Sequence, residues 1–207
     1  MQRPTIDHDD LDDTSPAFKG EVDVSLERVA GGSAGAASGS GRVERSVVDG
    51  VDLAETRLGP LVLADVEVRG ANLANAQWSE VTARRVEFES CRATGWRLGL
   101  TLAHDVYLSD CRMDLAQLDI GSAKGLVVFN RCNLSEAMIS GDLSKAVFID
   151  CDLSGVEFDA SARGCDLRGA TLEGATGLLS LRGARVTGDQ VRAIAGDLAK
   201  AVGLAVE

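Results

Sequence analysis

Large rings are scarce in this chain: aromatic residues make up 4% of 207. That excludes an interior built around Phe, Tyr and Trp, so Leu, Val, Ala and Cys must fill it. Proline is nearly absent, with three residues against 23 glycines, and glycine bends are expected in place of Pro-marked loops. No apolar run reaches the length of a membrane-spanning helix. The opening Met1-Gln-Arg-Pro-Thr-Ile-Asp-His lacks the apolar core of a signal peptide. A cytoplasmic location is therefore expected, where the five cysteines stay reduced. Bases are in deficit, 21 against 32 acids, giving a net charge of −11. A nucleic-acid binder wants a basic face, so direct nucleic-acid binding is not expected. Residues 1–30 hold eight acids and three bases, which places −5 of the −11 at the N-terminal end, around Asp7–Asp13.

Reactive constellations are missing too. Neither a P-loop nor a dinucleotide fingerprint occurs. His8, in the acidic tail, and His104, placed in a loop, read as solvated side chains and not as catalytic ones. No two cysteines show C-x-x-C spacing. As free thiols they read as small buried hydrophobes, with a redox or metal role as the alternative. No enzyme activity, cofactor or metal is expected.

What is present is a period of five. From Leu53 onward, every fifth residue is apolar through Leu58, Leu63, Val68, Leu73, Trp78, Ala83 and Phe88, and on to Leu108 and Leu118. A second, smaller series precedes it by two residues: Val51, Thr56, Leu61, Val66, Ala71, and later Trp96 and Thr101. Polar residues fill the gaps. A helix shows 3.6 and a half-buried strand shows 2, so neither explains the pattern. Cys91, Cys111, Cys132 and Cys151 are 20, 21 and 19 residues apart, a slip that restores 60. Four pentads therefore make one physical turn, and the fold class is all-β: a four-sided parallel solenoid.

Sorting by 20 stacks like on like. One column holds Leu53, Leu73, Leu134 and Leu153; the next holds Leu58, Trp78 and Leu118. A third, with Ala83, Ala103 and Ala123, is poor in bulk, and a fourth holds Phe88, Leu108, Phe148 and Leu167. Each coil hides its apolar side chains only when neighbours stack on it. Residues 42–186 form this unit, some six to seven coils. Residues 1–29 read as an acidic tail with an irregular first strand, and the Gly/Ser-rich 30–41 as a loop bulging from the first coil. A second irregularity, Asp159–Gly164, reads as a loop. Two placements are open for Trp96: packed in a widened core, or expelled into a loop as an interface anchor.

From residue 187 to 207 the pattern turns helical. Thr187-Gly-Asp-Gln190 is a capping box. Val191, Ile194, Leu198 and Val202 follow at helical spacing, and Gly203 supplies the stop. A helix here covers the open edge of the last coil, and it offers a dimer surface.

The triplets Ala71-Asn72-Leu73, Cys132-Asn133-Leu134, Cys151-Asp152-Leu153 and Cys165-Asp166-Leu167 resemble the A-(D/N)-L-x-x motif of pentapeptide-repeat proteins. The resemblance covers roughly residues 41–186. It implies a right-handed quadrilateral β-helix. Several members bind DNA gyrase or topoisomerase IV, protecting them from quinolones or other poisons by imitating duplex DNA. The stretch Gly183–Ala195 is similar to the capping and dimerising segment of a mycobacterial, gyrase-inhibiting member, which implies a homodimer through the C-terminal helix. A type II topoisomerase is thus the implied partner, and an unrelated partner of a scaffold protein is the alternative. The acids expected to face a partner are Asp52, Asp65, Glu87, Asp105, Asp110, Asp150 and Asp152. The outward columns traced through them are mixed in sign: Asp52, Asn72, Arg92, Arg112, Asn133, Asp152 in one, and Asp65, Arg85, Asp105, Lys145 in another.

Overall fold

In the computed structural model, which describes residues 1–16 and 18–205, the chain winds an all-parallel β-solenoid of about 8 turns. Every strand pairing is parallel and joins one coil to the next, as from Arg57–Arg69 to Gln77–Glu89 to Arg97–Ser109. Four sides follow from the pentad: two side chains point in, one points out between them, and two residues turn the corner. We number the sides by their outward residues: face 1 carries Asp52, face 2 Arg57, face 3 Val62 and face 4 Glu67.

The corners explain why the pentad repeats. One residue at most corners is left-handed, including Glu55 (φ 59), Asn75 (φ 55), Arg85 (φ 52) and Leu115 (φ 59). On face 1 the preceding Asp or Asn steadies the turn. Asp52 Oδ1 accepts from the Ala54 N–H at 3.1 Å, Asn133 Oδ1 from Ser135 at 2.9 Å, and Asp152 Oδ1 from Ser154 at 3.0 Å. These are Asx turns, so the Asp/Asn preference of the motif has a local backbone cause.

The four columns of larger inward residues stack as the 20-residue sorting requires. Leu58 pairs with Trp78 and Trp78 in turn with Leu98, Val68 pairs with Phe88, and Phe129 with Phe148. Phe129 and Phe148 stack with centroids 4.8 Å apart and planes 4° from parallel, which is the strand spacing read directly from two rings. Trp96 is core: it is 1% exposed and meets Trp78 and Phe88 edge-on at 5.4 and 5.3 Å. Ala83 and Ala103 on face 3, with Ala93 on face 1, leave the room that two indoles need.

Several expectations are corrected. The Gly/Ser stretch 30–41 is not a loop. Ser33 bridges Asp52, and the strand Ser38–Asp49 begins within the stretch. Glycine is needed there because coils approach closely: a Cβ on Gly41 would lie 2.0 Å from the Val22 carbonyl oxygen. Residues 12–30 already wind as Asp12–Thr14, Gly20–Ser25 and Glu27–Ala30, which adds coils to the six or seven expected. Asp159–Gly164 is no loop either; Glu157–Ser161 pairs in register with Met138–Asp142. Thr101 is exposed while Leu100 takes the inward site, because a bulge shifts the register beside Val81. His104 stands in a strand, paired with Arg84. The stacking distance also changes along the rod: 19 residues from Arg28 to Val47, 20 from Glu67 to Glu87, 21 from Tyr107 to Val128, and 19 from Val128 to Val147.

The end cap is two short helices, not one: α1 (Gly188–Ala193) and α2 (Ala195–Ala201). The capping box is formed in both directions, with Gln190 N–H donating to Thr187 Oγ1 at 3.1 Å and Thr187 N–H to Gln190 Oε1 at 2.7 Å. Ile194 stands at the junction, 5% exposed, and plugs the last coil with Leu198 packed beside it.

Candidate interaction surface

A packed rod offers its partner only the outward columns and corners. The seven acids expected to face a partner do not come together. Asp52 and Asp152 lie on face 1, Asp65 and Asp105 on the edge between faces 3 and 4, Glu87 on face 4, and Asp110 and Asp150 on the edge between faces 4 and 1. Most are already engaged. Arg85 donates to Asp65 at 2.6 Å, Arg131 grips Asp110 at 2.7 and 2.6 Å, and Arg3 pairs with Glu87. Asp105, 7% exposed, accepts the Leu126 N–H at 3.2 Å. The pairing is visible in proton affinity: the Arg131 guanidinium holds the Asp110 carboxyl below its usual range. At Asp65 burial opposes ionisation, but hydrogen bonds from Arg85 and Thr5 prevail and its pKa falls.

A different acidic surface emerges around face 2. Its centre column reads Arg57, Gln77, Arg97, Gln117, Met138, Glu157, Thr176, and the edge toward face 3 reads Gly99, Asp119, Ser140, Asp159. The edge toward face 1 adds Glu136 and Glu173. Asp119, Glu136, Glu157, Asp159 and Glu173 are all exposed, and among the described residues none has a cation within ion-pair reach. They span three rises of about 4.8 Å, or roughly one carboxylate per 3 Å of axis. A strand of duplex DNA carries one phosphate per ~3.4 Å. Small residues at Ser79, Gly99 and Ser140 recess the edge, leaving an open groove of about 540 Å³ beside the charges, lined by Gln77, Trp78, Arg97, Met138 and Glu157. Following single outward columns in the sequence misses this patch, because its acids come from one face and both flanking corners. Placing the corners side by side would have found it.

The diagonal edge, between faces 3 and 4, has the opposite sign. Arg45, Arg84, Lys124, Lys145 and Arg163 are exposed there, and no carboxylate pairs with them among the described residues.

The thiols line the interior. Cys91, Cys111, Cys132, Cys151 and Cys165 are all free and buried. The hydrogen bond with Cys132, together with burial, raises the Cys151 pKa, and burial pushes Cys165 up to about 12. Protonated and enclosed, Cys151 and Cys165 are poor nucleophiles, whereas the hydrogen bond with Cys111 lowers the Cys91 pKa.

The architecture defines a class: a parallel solenoid of stacked pentads that presents its outer columns to the surroundings. Residues 127–176 match the family model for pentapeptide repeats, in eight copies, and the same coil geometry runs on either side of them. That stretch consists of pentapeptide repeats, and the chain as a whole winds as the parallel solenoid such repeats build. Among the curated proteins, none matches this sequence. Among solved structures it is similar to trypsin-treated QnrB1, a plasmid-mediated fluoroquinolone resistance protein, at 16% identity and TM-score 0.39 over 93% of this chain and 98% of that one. It is also similar to HetL, a pentapeptide-repeat protein involved in heterocyst differentiation regulation from the cyanobacterium Nostoc sp. strain PCC 7120. There the identity is 18% and the TM-score 0.33, over 83% of this chain and 89% of that one. Likenesses this low carry no argument about partner.

Proposed function

We propose that this protein is a non-catalytic binding rod that sets the acidic side of face 2 against the DNA-binding surface of a type II topoisomerase. The observation that carries the reading is the group of five carboxylates without an ion-pair partner among the described residues, Asp119, Glu136, Glu157, Asp159 and Glu173, at a linear density near that of a DNA strand. A surface built to hold phosphates meets the same charge there on a rigid support. Cytoplasmic residence suits both such a partner and five thiols that are all free. The C-terminal end supports a homodimer: Val191, Val202 and Leu204 stand 41, 58 and 62% exposed beside the cap, an apolar group that a second copy would cover.

The test is supercoiling of relaxed plasmid by gyrase with rising amounts of the protein, with and without a quinolone. Inhibition or drug protection is expected, weakened by excess DNA and by raising salt, since exposed charges are screened. The double variant Glu157→Lys with Asp159→Lys should lose the effect while keeping its fold. Wild type without effect at large molar excess removes the topoisomerase and leaves a scaffold with another protein partner.

A further inference from the structure

The first eight residues are laid along face 4 as an extended strap. Arg3 pairs with Glu87 and stacks over the Tyr107 ring, with Cζ 3.7 Å from the centroid. The Thr5 N–H donates to Asp65 Oδ1 at 3.0 Å. His8 Nε2 lies 3.6 Å from Glu67, and the His8 carbonyl accepts from Arg28 at 3.1 Å. The outward column beneath reads Arg28, Val47, Glu67, Glu87, Tyr107, so the strap runs against the direction of winding and crosses four rises, about 19 Å. Val47, which points outward, is 2% exposed, and Glu67 only 9%.

The strap is weakly held. It forms no regular secondary structure over residues 1–7, and its own ends of the ion pairs, Arg3 and His8, are 49% and 44% exposed, where water and salt reach the charge and weaken the contact. Its own Asp7, Asp9 and Asp10 bring further negative charge to a column that is already acidic. What it places on the column is an extended backbone, a guanidinium for the Glu87–Tyr107 pair, and an amide for Asp65.

We propose that this column is a second docking site, for an extended cationic segment of a partner protein, and that residues 1–8 occupy it in cis as a displaceable mask. The strap's chemistry describes the ligand: an arginine seated on Tyr107 and Glu87, followed two residues later by a free backbone N–H for Asp65. A segment without the strap's aspartates fits better than the strap itself. The site is separate from face 2 and does not depend on the topoisomerase reading.

A fluorescent peptide of residues 1–8, and the same peptide carrying Asp7→Lys, test the idea against three proteins: the full chain, a chain lacking residues 2–10, and full-length Arg3→Glu. A tethered competitor acts at an effective concentration in the millimolar range, so binding to the unmasked chains should be at least about tenfold tighter than to wild type. Asp7→Lys should bind more tightly still, and a peptide with Arg3→Glu should not bind. Exchange of the residue 2–8 amides should be far faster than that of Val62–Val68 and should quicken with salt. Equal affinity for masked and unmasked chains, no binding to a truncated chain whose circular dichroism is native, or strap amides as protected as the coils would each overturn the proposal.

Discussion

Asp166 shows what a single motif residue does. Its Oδ1 accepts the Arg168 N–H at 3.2 Å, and the Arg168 guanidinium closes on both oxygens at 2.9 and 2.6 Å. That arginine holds the carboxyl well below the usual range, at about 2. A carboxyl that releases its proton more readily folded than unfolded adds stability above the ordinary carboxylate pKa near 3.9, and loses it as pH falls toward 2. Asp152, lowered chiefly by the Ser154 hydroxyl, and Asp110, lowered by Arg131, act in the same direction. Melting temperature should therefore drop between about pH 4 and pH 2, and Asp166→Asn should flatten part of that drop. Identical pH profiles for the two proteins would remove Asp166 from the account. The Asp-Leu signature was readable as a turn device from the pentad itself. The Arg168 clamp was not, since it uses a residue that the motif leaves free.

The end cap argues the same point for an element. Thr187 and Gln190 marked a helix start by spacing alone. Gln190 has a further role that spacing does not encode: its Nε2 donates to the Leu167 and Ala170 carbonyls, both at 2.6 Å, tying α1 to the last coils. Gln190→Ala removes the reciprocal cap and leaves two carbonyls without that donor, for a loss of about 2–3 kcal/mol. The expected outcome is a lower urea midpoint, with faster amide exchange at Cys165–Thr171 than at the middle coils, because a solenoid couples each repeat mainly to its neighbours. Uniform weakening along the rod would contradict that locality. The break at Ile194 was hidden from helical periodicity, which places Val191, Ile194, Leu198 and Val202 on one stripe. Docking divides them: Ile194 and Leu198 go to the core, while Val191 and Val202 remain outside.

At the scale of the molecule, the rod is electrically polarised across its section. Five carboxylates without an ion-pair partner among the described residues stand around face 2, beside Arg57 and Arg97, while Arg45, Arg84, Lys124, Lys145 and Arg163 line the diagonal edge. A net charge of −11 says nothing of this division. The C-terminal end also exposes apolar side chains among its charged ones. If Val191, Val202 and Leu204 meet their copies, light scattering should give twice 21.7 kDa. The double variant Val202→Asp with Leu204→Asp should then run as a monomer with unchanged circular dichroism. A monomeric wild type at tens of micromolar would rule out the dimer. Such a dimer would place two acidic faces on one particle and let a two-fold symmetric partner engage both.

The period of five, its grouping into twenties and the thiol ladder belonged to the sequence alone. Burial is decided pentad by pentad, and each inward position announces itself by size and polarity. Trp96 and the Gly/Ser stretch escaped that rule for one reason: both depend on what lies outside their own pentad. An indole fits a small-residue site only because Ala83, Ala93 and Ala103 yield space, and a glycine run becomes a coil only because the carbonyls of residues 20–22 press against it. The acidic patch and the masked column are further removed still. They join corners and faces from different coils, and in the second case the first residues of the chain, so only the wound structure sets those charges side by side.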